Sequence, residues 1–189
     1  MRTRDKILYG HAKMKVTLVL AAAALATLPV ALAQAGDGGT GSGGSTRTHA
    51  RTGKAKLYHG RAIAPSDAPR RVVRVIAAAN RIAKGKDYCY GGGHSSWKSS
   101  CYDCSGSVSY ALHGGDLIHH PMDSSGLANW ASKGKGNWIS VYGNSGHAFM
   151  MVAGLRFDTS DTRGAGPGWA RSMGAENPGS FRVRHKGAL

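Results

Sequence analysis

The chain has 189 residues, with 25 Lys and Arg against 10 Asp and Glu, for a formal charge of +15. That length buries a single core, and the charge favours an anionic partner without choosing among nucleic acid, membrane surface and wall polymer. Aromatics are 7% of the chain and are not interleaved with the basic run, which argues against an RNA-binding module.

Residues 1–33 read as a secretory signal peptide. Arg2, Arg4, Lys6, Lys13 and Lys15 form a basic start, Val16 to Val30 is apolar, and Ala31-Leu32-Ala33 offers a cleavage site after Ala33 or Ala35. The alternative is a retained membrane anchor, because the apolar run approaches the ~20 residues of a span. The leader holds five bases and one acid, so the remainder carries about +11. Residues 34–67 are rich in Gly, Ser and Thr with scattered bases and predict a flexible linker. Residues 68–189 are then the folded domain.

Within that domain, Ser66-Asp67-Ala68-Pro69 is a helix start, and Val72, Val73, Ile76, Ala79 and Ala83 follow at helical spacing up to Gly85. Asp87 to Tyr90 reads as extended and leads into the loop Gly91-Gly92-Gly93-His94. Asp103 is a suitable N-cap for a helix that opens at Cys104 and stops at Gly114-Gly115. A thiol at a helix N-terminus is ionised more easily, because unpaired N–H groups and the dipole favour the thiolate. The plain alternative is a buried structural cysteine. A second short helix is expected around Ser124 to Ala131. Strands are expected over Trp138–Tyr142, His147–Ala153, Leu155–Asp158 and Phe181–His185. Helices first and antiparallel strands later indicate an α+β domain, with helices on one side of a small sheet.

Three segments in order, Asp87-Tyr88-Cys89-Tyr90-Gly91-Gly92, Asp103-Cys104-Ser105-Gly106 and His147-Ala148-Phe149-Met150-Met151-Val152, resemble the NlpC and p-sixty group of papain-like cell-wall cysteine peptidases. The resemblance spans roughly residues 70 to 160. It implies a papain-like fold in which Cys104 is the nucleophile, His147 the general base and acid, and Tyr88, Asp103 and Ser105 line the substrate site; the alternatives are a core aromatic at Tyr88, a helix cap alone at Asp103 and a structural role for Ser105. The family's segment before the histidine strand is not recognisable, its place being taken by Gly134-Lys135-Gly136-Asn137-Trp138-Ile139-Ser140. The implied function is a secreted or wall-associated thiol protease, a hydrolase cutting amide bonds in peptidoglycan stem peptides as an endopeptidase or amidase. The other reading is a catalytically silent peptidoglycan-binding protein on the same scaffold. Peptidoglycan and anionic wall polymers are the expected partners, with no nucleic acid, no membrane contact beyond the leader, and a monomeric state. This chemistry requires no cofactor, and no second set of ligands shows metal spacing.

The third catalytic residue depends on strand register. A two-residue turn at Ala153-Gly154 brings Asp158 to the face of His147, whereas a tip at Gly154-Leu155 favours Ser160 and a three-residue turn favours Thr159. Asp158 is chosen because a carboxylate can hold an imidazolium. An exported chain meets oxidising conditions, so Cys89 and Cys101 are expected to form a disulfide that leaves Cys104 free. The alternative is a strand-buried Cys89 and a loop thiol at Cys101.

Overall fold

A computed structural model describes residues 53–160, 165–174 and 176–189. The leader and residues 34–52 of the expected linker lie outside the described residues. The elements are β1 (Lys56–Tyr58), β2 (Arg61–Ile63), α1 (Arg70–Ile82), α2 (Cys104–Gly114), α3 (Ser124–Ala128), β3 (Ser132–Lys133), β4 (Ile139–Gly143), β5 (Ala148–Val152), β6 (Leu155–Asp158), β7 (Gly168–Ala170) and β8 (Arg182–His185). β1 and β2 form a hairpin, and the other six strands form one antiparallel sheet in the order β3-β8-β4-β5-β6-β7. The class is α+β, with helices packed against an antiparallel sheet. Among the described residues no helix is long and apolar enough to cross a membrane.

α1 is amphipathic, burying Val72, Val75, Ile76, Ala79 and Ile82 along one stripe. Val73, expected on that stripe, is exposed, and Val75 takes its place. The expected cap also differs. Pro69 stands at the N-cap without a side-chain bond, while Asp67 accepts the N–H of Gly53 at 2.8 Å. α1 and α2 approach closely because Gly114 faces Ala78. A Cβ at Gly114 would lie 2.3 Å from the Ala78 methyl, so any larger residue there would push the helices apart.

The central strands β4, β5 and β6 are buried on both faces, whereas β3 is exposed. Alternation along β5 sends Ala148, Met150 and Val152 into the main core, and Phe149 into a second cluster with Tyr142 and Phe181. Phe149 stacks on Tyr142 at 4.7 Å and meets Phe181 edge-on at 5.1 Å.

The domain begins earlier than residue 68. Residues 56–63, assigned by composition to the linker, are the hairpin β1–β2, turning on His59 and Gly60, both with positive φ. Asn80 of α1 holds the hairpin by accepting the Ala62 N–H at 2.9 Å and donating to the Ala62 carbonyl at 2.8 Å. Within this segment Ala62 is buried in the main core and Leu57 only packs against it, so it lacks the apolar run that marks a strand. The Asp87 to Tyr90 segment makes only one isolated bridge, Asp87 with Cys101, and is otherwise irregular. The helix expected up to Ala131 ends at Ala128, because Asn129 caps it and Ala131 adopts a positive φ.

Candidate active site

Cys104 is the first residue of α2. Its N-cap Asp103 accepts the Gly106 N–H at 2.6 Å, which fixes the entry of the chain into the helix. Gly106 is required by close packing, since a Cβ there would sit 2.0 Å from the Gly92 carbonyl oxygen. The Gly-rich loop thus lies directly on the first turn. Cys104 is buried and is the free cysteine of the described residues, while Cys89 and Cys101 are bonded to each other.

His147 stands just before β5. Its position comes from a tight turn that sequence reasoning missed: the Asn144 side-chain oxygen accepts the N–H groups of Gly146 and His147 at 2.9 and 2.8 Å. The Asn144 N–H returns a bond to the His147 carbonyl at 3.0 Å. Gly143-Asn144-Ser145-Gly146 carried the signal, being a cluster of turn-forming residues immediately ahead of a histidine.

The structure brings Cys104, His147 and Asp158 together. His147 and the Ala148 backbone N–H face the Cys104 thiol and act on it to favour the thiolate. On its other side the His147 Nε2 lies 3.0 Å from Asp158 Oδ1. Val152 pairs with Leu155 and Met150 with Phe157, so Ala153-Gly154 is the two-residue turn, and both residues have positive φ. This register places Asp158 at the end of β6 beside His147. Ser160 is also close, with Oγ 3.3 Å from His147 Nε2 and 2.9 Å from Asp158 Oδ2. Its hydroxyl extends the same network. Thr159 contributes its N–H to Asp158 at 2.6 Å.

Asp158 is fully buried, and its charge is balanced by a residue that sequence reasoning also missed. Arg156, two positions earlier on the same face of β6, is fully buried and pairs with Asp158. The guanidinium sits 4.3 Å from the Phe149 ring centroid and donates to the Met173 carbonyl. His147, Asp158 and Glu176 offer ligand atoms within 4.8 Å of one another, as a metal site would. The Arg156 guanidinium, 3.5 Å from Glu176 and paired with Asp158, already supplies the positive charge there.

These contacts set the protonation states. The hydrogen bond to Asp158, then that to Cys104, outweighs burial and raises His147 to about 10. Burial pushes the Cys104 thiol up, but the His147 and Ala148 bonds and the His147 charge outweigh it and leave the thiol below its ordinary value. For Asp158, burial is likewise overcome by His147 and Arg156, and its pKa is lowered. The pair is therefore disposed to exist as thiolate and imidazolium.

The remaining expected residues lie around this centre. Tyr88 is half-exposed, and its hydroxyl is raised by burial and then by the charges of Cys104 and Asp103, so it stays protonated. Asp103 is occupied on both oxygens, accepting from Gly106, from Gly91 N–H at 3.1 Å and from Ser105 Oγ at 3.2 Å. His94 Nε2 lies 3.0 Å from each of these oxygens and 3.2 Å from Ser105 Oγ. The histidine that reads as a loop residue is thus the clasp between the Gly-rich loop and α2.

No protein-family model and no curated protein matches the chain. Among solved structures, the p-sixty domain of an antigen from Mycobacterium avium subspecies paratuberculosis is similar at 21% identity and a TM-score of 0.46, covering 60% of this chain and 93% of that one. The peptidoglycan hydrolase RipB from Mycobacterium tuberculosis is similar at 22% identity and a TM-score of 0.46, covering 64% of this chain and 69% of RipB. A variant of the resuscitation-promoting-factor interacting protein RipA gives 21% identity and a TM-score of 0.45, with coverages of 72% and 70%.

Proposed function

We propose that this chain is an exported papain-like cysteine hydrolase of the NlpC and p-sixty kind, cutting amide bonds in peptidoglycan stem peptides. The observation that carries the reading is the relay from Cys104 through His147 to the buried Asp158. A structural cysteine has no use for a histidine set against its thiol and held by a carboxylate.

In this reading the Cys104 thiolate attacks the scissile carbonyl, forming a carbon–sulfur bond while the carbonyl oxygen takes the negative charge. The N–H groups of Cys104 and Ser105 belong to the first turn of α2, where no intrahelical acceptor is available, and in this reading they receive that oxygen. In the same reading the protonated Tyr88 hydroxyl adds a further donor. His147 then gives its proton to the departing amine as the carbon–nitrogen bond breaks, leaving a thioester on Cys104. Water, deprotonated by the same imidazole, cleaves the thioester. Asp158 holds the ring in place and favours its charged form. Asp103 and Ser105, whose polar atoms are already bonded within the protein, anchor the loop that carries Tyr88.

The test is incubation with purified peptidoglycan and identification of the new termini by mass spectrometry. New amine and carboxylate ends are expected from the native chain. Cys104→Ala should lose about 10⁴-fold in rate while keeping its fold, since no new polar group is buried. Absence of products from the native chain would favour the silent binding protein instead.

A further inference from the structure

A cavity of about 810 Å³ lies between the hairpin, the loop after α1 and the segment 165–172 that contains β7. Its lining includes four basic side chains, His59, Lys84, Lys86 and Arg171, and one acid, Asp87. These bases come from three separate stretches of sequence, so the fold gathers them rather than a local charge run. Two are held in place. Lys84 has a left-handed backbone with φ 59°, and its N–H is bonded to the Pro167 carbonyl at 3.0 Å. Its stem lies across the hairpin tip, where a Cβ on Gly60 would fall 2.1 Å from Lys84 Cε. Arg171 donates to the Leu57 carbonyl at 3.0 Å.

Among the described residues, none of the four bases forms an ion pair with a carboxylate, in contrast to Arg156 and Arg71. Lys84, Lys86 and Arg171 set three positive charges against the single negative charge of Asp87, and like charges gathered around a concave surface repel one another and focus a positive potential, which an anion relieves. The cavity adjoins the segment that leads to the active site. Asp87 lines it and its carbonyl accepts the Tyr102 N–H at 3.0 Å, while the next residue, Tyr88, donates its N–H to the carbonyl of Ala165, another lining residue, at 2.8 Å.

We infer that this cavity is a binding subsite for a chain of oxyanions, phosphate or carboxylate, carried by a polymer that passes the active site. Its volume admits several such groups rather than a single ion. Binding here needs neither Cys104 nor His147, so the subsite stands or falls separately from the hydrolase reading.

The experiment is calorimetric titration of the full chain carrying Cys104→Ala with inorganic tripolyphosphate and, separately, with a glutamate oligomer. Two further double variants are compared in that background: Lys84→Ala with Lys86→Ala, and Arg70→Ala with Arg74→Ala, which removes the same charge from the exposed face of α1. The lysine pair should weaken binding by about tenfold or more and the arginine pair by less than about twofold, as local rather than net charge requires. Saturable binding of tripolyphosphate alone identifies phosphate as the source, and of the glutamate oligomer alone, carboxylate. Equal weakening by both double variants, or no saturable binding of either probe, would overturn the proposal.

Discussion

His147 and Asp158 make a pH-dependent pair whose signs are opposite. A histidine raised from 6.5 to about 10 contributes stability that is complete below the unfolded value and is lost as pH rises through about 10. Asp158 is lowered from 3.8, so its contribution is present above that value and is lost as pH falls through its folded pKa. For turnover, activity should rise as Cys104 ionises below its ordinary 9.0 and fall near 10 as His147 loses its proton. Asp158→Asn keeps the shape but removes the charge that holds the imidazolium. It should lower kcat/KM by about 10²-fold and draw the alkaline limb toward neutral pH. A pH–rate profile checks this, and an unchanged profile alongside a large loss in Ser160→Ala would transfer the role to Ser160.

At the scale of elements, the loop between Cys89 and Cys101 connects the substrate side of the cleft to the nucleophile helix. The disulfide spans 12 residues, and inside it the His94 clasp ties the loop to Asp103 and Ser105. Replacing both cysteines by serine should cost about 3 kcal/mol through the greater freedom of the unfolded chain. The melting temperature should fall, and kcat/KM should fall with it because Tyr88 loses its tether. Thiol titration of the folded native chain should find one reactive group, Cys104. Strand β4 is buried at every position, Ser140 included, and Ile139, Val141 and Tyr142 supplied the strand signal. β3 and β7, only two and three residues long, offered too little pattern to find.

For the molecule as a whole, the hairpin matters more than its composition suggests. Asn80 binds Ala62 through both backbone groups and also accepts the Trp169 indole N–H at 2.9 Å, tying β1–β2, α1 and β7 together. A chain beginning at Ala68 would lose both Asn80–Ala62 bonds and uncover the core that Ala55 and Ala62 close, and it should be less stable than one beginning at Gly53 by about 2–4 kcal/mol. Chemical denaturation of the two chains measures the difference. Equal midpoints and slopes would show that the hairpin is only draped over the domain. The shorter chain also removes His59 and Gly60 from the basic cavity.

The order Tyr88, Cys104, His147 was legible in the sequence, as were α1, α2 and the strands that carry the histidine and Asp158, because local periodicity and capping decide those features. Asp158 was only one of three candidates, since Ala153-Gly154 is an unfavourable primed turn on local grounds and packing overrides it: Ala153 is buried, with its N–H on the Trp138 carbonyl and its own carbonyl on the Ala55 N–H. Arg156, Asn144 and His94 were not found for a related reason. Arg156 reads as a surface charge on a strand until Phe149, Met173 and Glu176 close over it, and His94 reads as a loop residue until α2 brings Asp103 beneath it. Local sequence determined which groups are candidates for the chemistry. Contacts between segments distant in the chain, which no local pattern records, decided how those groups are charged and held.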